Sequence, residues 1–294
     1  MRALKTKPKR TVAPALLAVL LFCSRAAIAQ GQEKELDTPF VPTPQAVVDK
    51  MLDMAQVKAG DLVIDLGSGD GRIMITAAQR HGAQGFGVEI DPRLVQRSNE
   101  EARRLGIADR VKFLRQDLFN TDFHEANVLT LYLLPDVNIA LRPKILAELK
   151  PGTRVVSHDY DMREWRPDAE ETMPAPDKKV GMRKESMVYL WIVPARVEGE
   201  WIFELSSGGK TRRTRLVLHQ LFQFVSGSVE LTGQGDVPVS HGRLRGEELR
   251  LMLPPGALDR GPVELVGRVR GDSVDGTVRR ADREVAHWNA RRRN

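Results

Sequence analysis

The chain has 294 residues, room for two modest domains, and its 41% hydrophobic and 29% charged content fits an ordinary soluble globular protein. The formal charge of +6 is local: residues 1–29 carry Arg2, Lys5, Lys7, Lys9, Arg10 and Arg25 with no acid, and beyond them 39 basic residues balance 39 acidic ones. A basic excess of that origin gives no reason to expect nucleic acid, and the single cysteine, Cys23, excludes disulfides, thiolate nucleophiles and cysteine-ligated zinc beyond the leader.

Residues 1–29 read as an export signal: a basic stretch to Arg10, an apolar run over 11–24, and Ala27-Ile28-Ala29 before a cut ahead of Gln30. Fourteen residues containing Pro14 fall short of the roughly 20 that a membrane span needs. The expected location is therefore exported, periplasmic or secreted, with no transmembrane segment in the mature chain; an uncleaved N-terminal anchor is the alternative. Residues 30–60 read as a linker and a helix, the latter marked by Val47, Val48, Met51, Leu52 and Ala55 at helical spacing.

From Asp61 strand-like and helix-like segments alternate. Strands are expected at 62–66, 85–89, 111–115, 128–133 and 154–157, and helices near 71–81, 92–105 and 136–149. Asp91-Pro92 supplies a capping carboxylate and a first-turn proline for the second of these helices. Such alternation predicts an α/β fold, a Rossmann-like doubly wound sheet, mostly parallel and of about seven strands, over residues 61–194. Residues 160–185, rich in Pro, Asp and Lys, read as a loop or lid, and 187–193 as a last strand. Over 195–294 the texture changes to short strands broken by glycines. Two stretches there repeat each other, GRLRGEEL at 242–249 and GRVRGDSV at 267–274, each a strand, a glycine turn and a returning strand. A small antiparallel β domain, a meander or partial barrel, is expected.

The chemistry concentrates in VIDLGSGDGR, residues 63–72. A phosphate-cradling P-loop needs a Lys-Ser or Lys-Thr pair after its glycines, and none follows. A dinucleotide loop needs a third small residue so that helix and strand can press together, and Arg72 stands there instead. The third glycine comes one residue early, at Gly71, giving D-x-G-x-G-x-G from Asp65.

That spacing resembles motif I of the class I S-adenosylmethionine-dependent methyltransferases, and the resemblance runs on in order from about Phe40 to Val193. It implies S-adenosyl-L-methionine as the methyl donor, bound by Asp65, Gly67, Gly69, Gly71, Glu89 and Asp117. Glu89, in GVEIDP, matches the acid that holds both ribose hydroxyls, and Asp117, in RQDL, the residue that contacts the adenine amino group. FVPTP, DLGSGDGR and GVEIDPRLV together look like the mitochondrial-type protein-lysine methyltransferases, which act on membrane proteins such as the ATP synthase c-ring and the adenine nucleotide carrier. The implied partner is a methyl acceptor, in that case a protein lysine. The cleavable-looking leader and the added β region depart from those relatives.

On the acceptor side the sequence offers Tyr132, Pro135 and Asp136 after the fourth strand, and Phe40 and Pro42 as residues that close over the acceptor. Tyr132, Asp136 and Asp159 are the catalytic candidates; a water channel, or an acceptor such as Asp136, Asp159 or a backbone carbonyl, would assist removal of a lysine proton. The trio His158, Asp159 and Tyr160 reads as strand-end surface polarity at least as readily as chemistry. Six histidines show no ligand spacing, so no metal is expected. Other readings are an exported adenosyl-nucleotide-binding protein without catalysis, a small-molecule methyltransferase, or a nicotinamide oxidoreductase. Composition is silent on oligomeric state.

Overall fold

The computed structural model describes residues 40–181, 183–281 and 283–293. The leader thus lies outside the described residues, as does most of the linker. The chain enters through residues 40–44 and helix α1 (Gln45–Met54), which buries Val47, Val48, Met51 and Leu52. Next come β1 (Leu62–Leu66), α2 (Arg72–His81), β2 (Gln84–Glu89), α3 (Pro92–Arg104) and β3 (Val111–Arg115). After a short 3-10 turn (Leu118–Asn120) follow β4 (Val128–Leu131), α4 (Pro135–Glu148), β5 (Arg154–His158), β6 (Ala169–Pro174) and β7 (Glu185–Ile192). Asp91 caps α3 with its own carboxylate, which accepts the Arg93 N–H, and Pro92 fills the first turn, as expected of that pair.

These seven strands form one sheet in the order β3-β2-β1-β4-β5-β7-β6. Strands β1 to β5 pair in parallel, while β7 runs against both of its neighbours. The sheet is therefore mostly parallel and seven-stranded. Its inner strands are buried on both faces, and two separate clusters of buried apolar side chains flank it, as a sheet covered by helices on each side requires. Strand order reverses between β1 and β4, so a crevice opens at the carboxyl ends of those two strands.

Two expectations change. The stretch 160–185 is not wholly a loop: Ala169–Pro174 forms an edge strand, exposed along most of its length. The fourth strand ends at Leu131, leaving Tyr132, Leu133 and Leu134 as free connection before α4.

The C-terminal strands are β8 (Gly199–Ser207), β9 (Lys210–Leu221), β10 (Phe224–Leu231), β11 (Gly235–Pro238), β12 (His241–Arg245), β13 (Glu248–Leu253), β14 (Val263–Arg270), β15 (Ser273–Arg280) and β16 (Arg283–Arg292). All pair antiparallel, and the sheet closes: β16 pairs with β8, β8 with β9, β9 with β10 and β10 with β12. The result is more than a partial barrel. Eight strands complete a ring, and β11 is a short hairpin arm on β10. Closure leaves the ring without free edges. Its interior is filled by side chains, Trp201, Phe203, Trp288, Leu244, Leu251 and Leu265 among them. Gly267 and Gly276 face each other across β14 and β15 because the Trp288 ring needs the room; a Cβ on Gly267 would lie 2.6 Å from it.

Since β7 is reversed, its last residue, Ile192, lies beside Arg154 at the starting end of β5. The barrel consequently meets the first body at the end of the sheet opposite the crevice. There Arg243 pairs with Asp168 at 2.9 Å, Ala195 donates to the Gly246 carbonyl at 2.8 Å, and Phe222 stacks on Trp165 at 6.2 Å. Among the described residues no helix is long and apolar enough to cross a membrane.

Candidate functional site

The loop leaving β1 rests on the start of the crevice. Gly67, Gly69 and Gly71 all have left-handed φ values, 76°, 54° and 79°, which only glycine adopts readily. Each also stands where a side chain would collide: Gly67 against Leu133, Gly69 against the Phe40 ring and Gly71 against Phe113. The amides of Gly67 and Ser68 both donate to the Val88 carbonyl at 2.9 Å, tying the loop to β2. Gly87 belongs to the same device, since a Cβ there would lie 2.5 Å from Ser68. That role escapes a reading based on the loop motif alone.

Asp65 lies within β1 and is buried. Its Oδ1 accepts the Thr130 hydroxyl at 2.6 Å, while Oδ2, fully enclosed, has no partner. Burial pushes this carboxyl up to about 7; the Thr130 hydrogen bond opposes the shift, and the negative charges of Glu89 and Asp70 add to it. An enclosed carboxylate oxygen without a donor is costly, and a cationic N–H group at the glycine loop would relieve it. The buried Ser68 hydroxyl, on the glycine loop, is unpartnered too.

Glu89 ends β2 with its carboxylate turned back on the loop. Oε2 accepts the Gly69 N–H at 3.0 Å, and Oε1 accepts those of Ile90 and Asp91 at 2.7 and 3.0 Å. Two carboxylate oxygens offer about four acceptor directions, so capacity remains on Oε2, the oxygen nearest the loop. Asp117 follows β3 and caps the 3-10 turn by accepting the Phe119 N–H. The cradle of glycines, the enclosed oxygen of Asp65 and the acceptor capacity of Glu89 fit a donor carrying an ammonium and a sugar diol.

The opposite wall is the connection after β4. Leu133 touches Gly67, so the end of β4 lies directly against the glycine loop. The Tyr132 ring leans on His158 at 4.0 Å and lies nearly parallel to Tyr160 at 6.2 Å. Burial, with Asp159 and Tyr160 beside it, raises the Tyr132 phenol, which stays protonated. Pro135 opens α4, and Asp136 sits in its first turn. Buried Asn138 donates to the Tyr160 carbonyl at 3.1 Å and to Ser157 at 3.3 Å.

His158 is fully buried, which corrects the reading of the trio as surface polarity. Its ring nitrogens meet Thr43 Oγ1 at 3.3 Å and Ser186 Oγ at 2.9 Å. Burial pushes the imidazole down to about 4 against the pull of Asp159, so it is neutral at pH 7. Asp159, in a left-handed turn, is already engaged: Oδ2 pairs with Lys178 at 2.7 Å and Oδ1 accepts the Met187 N–H at 3.1 Å. Phe40 is half-exposed over Gly69, and Pro42 lies two residues further along the same stretch. Among the described residues no group of His, Cys, Asp and Glu side chains could hold a metal ion.

Known proteins share this arrangement in sequence. The profile of the ANTKMT methyltransferase domain matches residues 65–169. Over 156 residues the chain is 40% identical to a protein-lysine N-methyltransferase of Saccharolobus islandicus, covering 53% of this chain and 93% of that protein. It is 34% identical over 134 residues to the adenine nucleotide translocase lysine N-methyltransferase of Mus musculus, covering 46% of this chain but only 58% of that protein. A solved structure, described as an RNA methyltransferase of Salinibacter ruber in complex with S-adenosyl-L-homocysteine, is 50% identical over 53% of this chain and 96% of that one, with a TM-score of 0.48.

Proposed function

This chain belongs to the S-adenosylmethionine-dependent protein-lysine N-methyltransferases, and we propose that its own acceptor is the ε-amino group of a lysine in a protein. The observation that carries donor use is Asp65, a buried carboxylate with one unpartnered oxygen beneath three left-handed glycines. The lysine reading draws support from the Saccharolobus islandicus relative, of which the chain covers 93%. It also draws on the stacked rings of Tyr132 and Tyr160 at the strand ends, since aromatic faces accommodate the cationic methylated amine that the transfer produces.

The donor supplies an electrophilic methyl group on sulfur: a C–N bond forms as the C–S bond breaks, and the lysine loses one proton. The protein's part is alignment. Glycines at 67, 69 and 71 keep the floor free of side chains, Glu89 offers its carboxylate to the sugar, and Leu133 brings the acceptor wall against that floor.

On the acceptor wall, three candidate groups are unsuited to take the lysine proton near pH 7. His158 is held neutral with a pKa of about 4, the Tyr132 phenol stays protonated, and Asp159 is committed to Lys178. The proton therefore leaves to water before the lysine enters. At saturating donor, turnover accordingly rises with pH toward the ordinary lysine range, with no lower bend from His158, Tyr132 or Asp159.

We also propose that residues 1–29 are an export leader, on their six cations, absent acids and apolar run. A mature N-terminus at Gln30 in an envelope fraction supports this; retention of the intact chain in membranes favours an anchor.

The acceptor assay uses purified protein, radiolabelled donor, and separated protein, RNA and small-molecule fractions of a lysate. Label recovered as methylated lysine after protein hydrolysis is the expected result. Label confined to RNA or to small molecules overturns the lysine acceptor while leaving donor use intact.

A further inference from the structure

Arg72 stands where a dinucleotide-binding loop carries a small residue, and the donor site described above gives it no task. Its surroundings do. Nε lies 2.9 and 3.1 Å from the two oxygens of Asp70, and Nη2 lies 2.5 Å from Oδ2. The remaining arm, Nη1, donates to the carbonyl of Thr43 at 2.7 Å. A planar guanidinium holds a carboxylate and a separate carbonyl at once, which the point charge of a lysine cannot reproduce.

Thr43 is buried. Its carbonyl faces Arg72 on the glycine-loop side, and its hydroxyl faces His158 at the end of β5, which Ser186 holds from behind. One residue thus joins the donor wall to the acceptor wall. On its C-terminal side Pro44 is fixed, its carbonyl accepting the first amides of α1, Val47 and Val48. Pro42 and Pro44 stiffen the stretch between. Its far end carries Phe40, whose ring lies against Gly69, the residue whose N–H is held by Glu89.

We propose that Arg72 is a positioning residue: through the Thr43 carbonyl it holds residues 40–44 as a strap across the strand ends, with Phe40 closed over the donor's floor. Arg72 touches neither methyl donor nor acceptor; it acts on donor retention through the strap. The proposal rests on the reading of the glycine loop as the donor site.

The test uses the full chain and its Arg72→Lys, Phe40→Ala and doubly substituted forms. Donor binding is measured by calorimetry and amide exchange over residues 40–48 by mass spectrometry. The expected result is donor affinity about tenfold weaker for Arg72→Lys, the scale of one charge-assisted hydrogen bond. Phe40→Ala weakens it similarly, and the double form is no worse than the weaker single, because both act through one strap. Exchange over 40–48 speeds up in Arg72→Lys while β1 keeps its protection. Unchanged or tighter binding in Arg72→Lys overturns the proposal, as do penalties that multiply or exchange that stays slow. Absence of donor binding in the unsubstituted chain strikes instead at the donor site, and the exchange comparison still decides whether Arg72 holds the strap.

Discussion

Glu89 Oε2 accepts the amide N–H of Gly69 at 3.0 Å, joining residues 20 positions apart across the mouth of the crevice. The acid that the sequence motif assigns to a sugar is thus also a brace for the loop that lines its neighbour. Binding and shape depend on the same carboxylate, and substitutions here must be read for both.

Gly69→Ala tests the floor. The backbone there has a φ of 54°, which costs an alanine about 1 kcal/mol or somewhat more, and the new Cβ would lie 2.5 Å from the Phe40 ring. The thermal midpoint should fall by about 3 °C, while donor affinity falls about tenfold or more because the ring must leave its place. Thermal unfolding and calorimetry on one preparation separate the two effects.

Donor binding should release a proton below pH 7. The Asp65 carboxyl, pushed to about 7 in the fold, is largely protonated at pH 6, and an arriving ammonium favours its ionised form. Affinity therefore climbs as pH rises from about 5.5 to 7 and then levels, and Asp65→Asn removes the slope. Calorimetry in buffers of different protonation enthalpy counts the proton.

Two buried groups, Asp65 and His158, act oppositely on stability. Asp65 binds a proton in the fold that the unfolded chain has released, so its contribution is full below pH 3.8 and lost as pH rises toward 7. His158 is depressed from 6.5 to about 4, so the stability it secures is lost as pH falls from 6.5 to 4. The stability curve should be nearly flat between pH 4 and 6.5, and Asp65→Asn should expose the loss at low pH.

Phe222→Ala tests the claim that the barrel sits away from the crevice. The ring stacks on Trp165 at 18° and carries the Arg142 guanidinium 5.5 Å above it. Its removal should cost about 1–3 kcal/mol of stability and leave donor affinity within about twofold. A large loss of donor affinity would mean that the barrel shapes the crevice.

Much of the first body was legible because its signals are local. Asp91-Pro92 starts α3 through a contact two residues away, and β1, β4 and β5 are apolar runs between turn residues. Strand β6 was not legible: AEETMP is mostly exposed and has no alternation to betray it. The glycine turns at Gly246 and Gly271 could be read from the repeated GRLRGEEL and GRVRGDSV. Closure of the barrel could not, since β16 meets β8 across about eighty residues of chain through register alone. At the site, the D-x-G-x-G-x-G spacing announced a loop in which every glycine is needed. Thr43 gave no signal, because its partners are 29 and 115 residues distant.

The most direct measurement is calorimetric binding of S-adenosyl-L-methionine to the chain carrying Glu89→Ala, beside Glu89→Gln, which keeps an acceptor for the Gly69 amide. The account predicts that both weaken binding, alanine by about a hundredfold and glutamine by less, as expected for losing two charge-assisted hydrogen bonds. If both variants fold and bind the donor as tightly as the unsubstituted chain, the donor does not lie on Glu89 and the assigned crevice is wrong.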